Sequence, residues 1–129
     1  MKTVIAALTA ILLMVPLAVA AHHAFAAEFD RAKPVKVQGS VVKVEWTNPH
    51  IWIYLDTKDE KGSIVRWQCE GTSPNTLTRQ GWSKDTLKQG DQVTIEGYRA
   101  KDGSNTCNSS AVTLPDGKRL FAGSAEGER

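Results

Sequence analysis

Three histidines punctuate this chain, and two of them are adjacent: His22 and His23, with His50 further on. The pair follows a segment that reads as an export leader. Lys2 supplies a positive start, Val4 to Val19 is almost wholly apolar, and Ala18-Val19-Ala20 is a small-residue cleavage site. A cut after Ala20 leaves Ala21-His22-His23 at the new terminus. A histidine in third position lets the amine, two amide nitrogens and an imidazole surround one ion in a plane, which suits Cu(II) or Ni(II). A cut after Ala21 makes His22 the first residue. Its amine and imidazole then chelate together, and His23 or His50 adds a third nitrogen. Both cuts make His22, His23 and His50 a candidate copper set. The plainer alternative is a polar terminus with no physiological metal, so the cofactor reading is copper or none.

Other chemistry finds little footing. There is no Gly-x-Ser-x-Gly elbow, phosphate loop or HExxH motif. Glu28 and Asp30 lie two apart, but paired acids need a shaped cleft that a sequence does not show. Glu45, Asp56 and Glu70 read as solvated strand positions, so no catalytic residue is assigned. With Lys2 in the leader, the 16 Lys+Arg fall to 15 against 14 Asp+Glu, a formal net charge of +1. No basic excess exists to neutralise a phosphate backbone, so nucleic acid is not an expected partner. Export predicts a periplasmic or secreted location, with membrane contact only through the leader. A retained leader acting as an anchor is the alternative.

Cys69 and Cys107 are the two cysteines of the chain. An even count in an exported protein suggests a disulfide. Two free thiols or a thiolate metal site are the alternatives, and the spacing is not that of a zinc motif.

The elements that must position these groups follow from pattern. Residues 1–20 are the leader and 21–34 an N-terminal arm, pinned by Phe25 and Phe29 and ended by Pro34. A long strand is expected over 35–46, bent at Gly39, where the apolar parity changes. Thr47-Asn48-Pro49-His50 is a turn. Strands over 51–57 and 63–70 follow, around a polar hairpin loop. Ser73-Pro74 starts a short helix, with Ser73 as N-cap and Pro74 at N1. Strands over 92–100, 106–114 and 119–121 complete the pattern, and 123–129 is a polar tail expected to fray. Three strands, a helix, then further strands is the chain order of an OB-like Greek-key barrel of five to six strands, here over 35–122. Another small barrel or a β-sandwich is the alternative. In an OB barrel the loop after the first strand and the loop before the last strand flank the binding face. That face here would gather Trp46, Asn48, His50 and Trp52 with Lys101 and Asp102. This rim is the basis of a second functional reading: a metal-free module that docks another envelope protein or a small ligand. Trp46 and Trp67 are also candidates for the core, and Trp82 for the plug of the barrel end.

The chain also resembles a family. His22-His23-Ala24-Phe25, Glu28-Phe29-Asp30, Glu45-Trp46-Thr47-Asn48-Pro49-His50, Ser73-Pro74-Asn75, Arg79-Gln80-Gly81-Trp82, Leu87-Lys88-Gln89-Gly90-Asp91, Lys101-Asp102-Gly103-Ser104 and Leu114-Pro115-Asp116-Gly117 occur in that order. Together they resemble a family of small exported bacterial proteins catalogued as a domain of unknown function. The resemblance spans nearly the whole chain after the leader. It implies a bacterial envelope protein and brings no activity or catalytic residue with it. Cys69 and Cys107 lie outside its pattern. The segment from Leu87 to Gly97 is similar to periplasmic OB-fold proteins more broadly, a fold-level likeness only.

Overall fold

The computed structural model describes residues 25–123, so His22, His23 and the leader lie outside the described residues, as does 124–129. Residues 25–28 are helical and lead into β1 (Phe29–Glu45), followed by β2 (Trp52–Lys58) and β3 (Ile64–Glu70). A short helix, α1 (Pro74–Arg79), precedes β4 (Gln92–Ala100), β5 (Thr106–Thr113) and β6 (Arg119–Phe121). The sheet runs β3-β2-β1-β4-β5-β6, and β3 also pairs with β5, which closes the ring. This is a mostly β, OB-like barrel with one short helix between β3 and β4. Every ladder is antiparallel except the closing one, β3–β5, which is parallel.

β1 is the strand that serves both halves. Its first part pairs with β4 from Phe29↔Ala100 to Ser40↔Gln92, and its last part pairs with β2 from Ser40↔Asp56 to Glu45↔Trp52. The changeover falls at Gly39 and a register shift between Val41 and Lys43. A Cβ on Gly39 would run into the carbonyl of Asp56, so the bend needs the bare backbone. The strand begins earlier than its pattern suggests. Pro34 does not end an arm; it pairs opposite Tyr98, after a register shift between Phe29 and Pro34. The irregularity accommodates a residue that has no N–H to give a ladder.

The inward face collects Val37, Val41, Ile53, Leu55, Ile95 and Val112. Ser73 caps α1, its Oγ accepting from Thr76 N at 3.3 Å, and Pro74 occupies the first turn. The helix drops Leu77 into the barrel end. Trp82 follows it, 3% exposed, with Nε1 donating to the Phe121 carbonyl at 2.9 Å. Trp46 and Trp67 are half-buried and pack against the same core. Cys69 and Cys107 form a disulfide across the β3–β5 closure, with Cα atoms 4.5 Å apart. That bond decides between the alternatives open to the two cysteines. No helix among the described residues is long and apolar enough to cross a membrane.

Candidate functional site

His50 is positioned by the buried residue that follows it. The Asn48–Pro49 peptide is cis. Ile51, fully buried, exchanges backbone bonds with the segment after β3: its N–H donates to Thr72 O at 3.1 Å, and its carbonyl accepts from Gly71 N at 2.9 Å. A Cβ on Gly71 would crowd the Ile51 side chain, so the two segments meet closely. This clamp leaves the His50 ring at the end of β3, where its Nδ1 lies against Oε1 of Glu70. The carboxylate side chain is 9% exposed and the imidazole 48%. In a neutral imidazole that donates from Nδ1, Nε2 carries the lone pair. Here Nε2 has no hydrogen-bond partner among the described residues.

Glu70 is not the solvated strand residue that alternation suggests. It points outward, opposite Trp52 of β2 and Asn108 of β5, and is then covered. Burial raises its pKa above the usual carboxylate range. His50 acts against that shift, Glu28 adds to it by repulsion, and a hydrogen bond with the Asn108 side chain favours the charged form. The Glu28 charge is therefore felt at this corner, although Glu28 forms no chelating cluster with the other two. Among the described residues no group of three or more His, Cys, Asp or Glu is placed to hold a metal ion.

The N-terminal segment reaches this corner through the loop after β4. Lys101 donates its backbone N–H to Glu28 O at 2.8 Å and its Nζ to the Ala26 carbonyl. Phe25 packs on Phe29 and Tyr98, with ring centroids 5.6 and 6.0 Å away, and Arg31 lies 5.0 Å over its ring. Between the segment, the loop and the barrel wall runs a cleft of about 660 Å³, lined by Glu28, Trp52, Gln68, Lys101, Asp102 and Thr106 among others. Hydrogen bonds from Ser104 hold the Asp102 carboxyl below the usual range, so it is ionised at neutral pH. Gln68 donates its amide to the Thr106 hydroxyl at 3.1 Å.

The structure thus brings Trp52, Lys101 and Asp102 into one cleft and places His50 beside it on Glu70. Trp46 and Asn48 are not among the residues lining that cleft. Trp46 packs against the core, and Asn48 is exposed in the turn. The rim expected over 46–50 is therefore divided between the core side and the outer face. Glu70 and Asn108 were missed by sequence reasoning. The hairpin pattern held a signal for Glu70: aligning the second and third strands puts it opposite Trp52, two residues from His50.

A small OB-like barrel with a histidine–carboxylate corner beside an open cleft is what the fold and this site define. The chain belongs to the Family of unknown function (DUF6152), whose model matches residues 10–109. No curated protein matches it. A solved structure, the crystal structure of a complex of TiaS with a transfer RNA and ATP, is similar at 20% identity with a TM-score of 0.49. The match covers 66% of this chain and 18% of that one.

Proposed function

We propose that this protein is a small exported metal-binding protein in which His50 is one ligand and copper the ion. The observation that carries this reading is the His50–Glu70 contact. A ligating histidine ordinarily gives its other ring N–H to a carboxylate or carbonyl, which sets the tautomer and aims the ring. Here Glu70 receives Nδ1, and Nε2 of a half-exposed imidazole is left for an ion. One protein nitrogen is not a site, so the remaining ligands come from the terminus. His23 and His22 are five and six residues before Glu28, whose charge is felt at Glu70. The leader-like residues 1–20 and the disulfide support an oxidising, exported setting.

The test is a Cu(II) titration of the exported protein against a competing chelator, beside His22→Ala/His23→Ala and His50→Ala variants. The expected result is one copper per chain, with affinity at least tenfold lower in each variant. An affinity unchanged by His50→Ala, and equal to that of a peptide with the same first three residues, would overturn the reading.

The cleft favours a second reading: a metal-free module that docks an envelope protein or a small ligand against Trp52, Lys101 and Asp102. Its mark is a partner recovered from the periplasm by the wild type and by His50→Ala, but lost on Trp52→Ala.

A further inference from the structure

The cleft beside His50 is built from three elements. Trp52 comes from β2, Gln68 from β3, and Lys101, Asp102, Ser104 and Thr106 from the β4–β5 loop and the first residue of β5. In an OB barrel the face of the second and third strands, with the loop joining the fourth and fifth, is where ligands lie. A volume of about 660 Å³ falls within the range of about 300–1,000 Å³ that small-ligand sites occupy. The polar groups of the cleft are tied to one another. Gln68 Nε2 donates to Thr106 Oγ1 at 3.1 Å, and Ser104 Oγ lies 3.0 Å from that same oxygen. The Ser104 N–H donates to Asp102 Oδ1 at 2.9 Å. Arg99 fastens the loop from behind: its guanidinium donates to the carbonyls of Ser104 and Gly103 and to the Asn105 side chain, and it lies over the Trp67 ring. Groups held this way are in place before a ligand arrives, which lowers the ordering cost of binding. Bonding capacity is left over. Gln68 Oε1 has no partner among the described residues, and the Asp102 carboxylate has lone pairs beyond those that Ser104 engages. Lys101 gives one Nζ hydrogen to the Ala26 carbonyl and keeps two.

Charge narrows the occupant. Two carboxylates, Glu28 and Asp102, line the cleft against one ammonium, Lys101. That balance repels a polyanion, and the ammonium works against a polycation. A wholly apolar ligand would cover these polar groups without satisfying them. A neutral molecule dense in hydroxyls, with an apolar face to set on Trp52, suits every wall. A pyranose ring has that chemistry. Its hydroxyls donate to a carboxylate or amide oxygen and accept from an ammonium, and its C–H face packs on the electron-rich face of an indole. We propose that the cleft binds a short neutral oligosaccharide, with Trp52 under one ring and Gln68, Lys101 and Asp102 bonding its hydroxyls. The proposal rests on the reading of this cleft as a docking face and is independent of the metal. Asp102, held ionised by Ser104, stays an acceptor throughout the neutral range.

The experiment screens the exported protein on an array of neutral glycans. The strongest hit is then titrated, as a hexasaccharide and as its monosaccharide, while the backbone amide and indole N–H resonances are followed. An oligolysine and a single-stranded oligonucleotide are titrated alongside. The expected result is saturable binding of the hexasaccharide, with shifts gathered at Trp52, Gln68 and residues 101–106. Affinity is expected to fall about tenfold in Trp52→Ala and about threefold in Gln68→Ala and in Asp102→Asn. Lys36→Ala, on β1 and outside this cleft, is expected to bind as wild type does. Gln68 and Asp102 are exposed, so their variants decide the matter if Trp52→Ala does not fold. An array with no hit, or binding unaltered in the cleft variants, would overturn the proposal. So would equal affinity for the monosaccharide, or tighter binding of the oligolysine or the oligonucleotide at the same resonances. A silent array beside a Trp52-dependent protein partner would defeat the oligosaccharide and leave the docking face standing. A silent array with no such partner would defeat both.

Discussion

Glu70 is the residue on which most of the site's behaviour turns. Its pKa is raised above the ordinary value of 4.5, chiefly by burial. The folded chain therefore holds that proton more tightly than the unfolded chain. The associated stability is fully present below about pH 4.5 and is lost as pH rises through the raised folded value. Glu70→Gln removes the ionisation, so its stability relative to wild type is expected to improve between about pH 4 and pH 7. Urea midpoints of both proteins at the two pH values check this; an identical difference at both would mean that Glu70 is not desolvated. The histidines were legible in the sequence because of their scarcity and their place after a leader. Glu70 was legible only as an outward strand position. The groups that act on it are His50, twenty residues earlier, Asn108 on β5 and the charge of Glu28, all distant in sequence, so its setting has no local signature.

β1 shows which parts of an element a sequence declares. Its bend was written in Gly39 and the parity change around it. Its beginning was not, because Pro34 reads as a terminator until a partner strand with a compensating irregularity stands beside it. β4 has a similar hidden requirement. Gly97 lies where the β4–β5 register shifts, and a Cβ there would be driven into the backbone carbonyl of Asn108. The obstruction cannot yield by turning a side chain, since it is main chain. Gly97→Ala is expected to destabilise the protein by about 3 kcal/mol, the upper part of the usual range for overpacking. Because Asn108 also reaches Glu70, the same variant is expected to disturb the His50 imidazole spectrum. Denaturant unfolding and that spectrum are the two checks.

Closure of the barrel is a property of the whole chain. The order of elements pointed to an OB-like ring, and that order already makes the third and fifth strands neighbours. The two cysteines fall on those strands, 38 residues apart; their even count already suggested the bond, and the ring shows why they meet. A bond closing a loop of that length removes conformational freedom from the unfolded chain worth about 4 kcal/mol. Cys69→Ala/Cys107→Ala is expected to lose roughly that amount in urea unfolding, with the folded amide pattern kept at low denaturant. A loss under about 1 kcal/mol would show that the unfolded chain was already constrained there.

The shortness of the closing ladder has a further consequence. β5 meets β3 only at Gln68, Cys69 and Glu70, so 64–67 form a stretch of edge with β2 on one side alone. Ile64, at its tip, is 70% exposed. An uncovered edge with an apolar tip is a template on which a foreign strand can add. Arg66, tied to Asp56 across the hairpin, sets a charged pair in the middle of that stretch. Among the described residues, 64–67 thus form a short open edge guarded by the Arg66–Asp56 ion pair, a place where a foreign strand could add to the folded barrel.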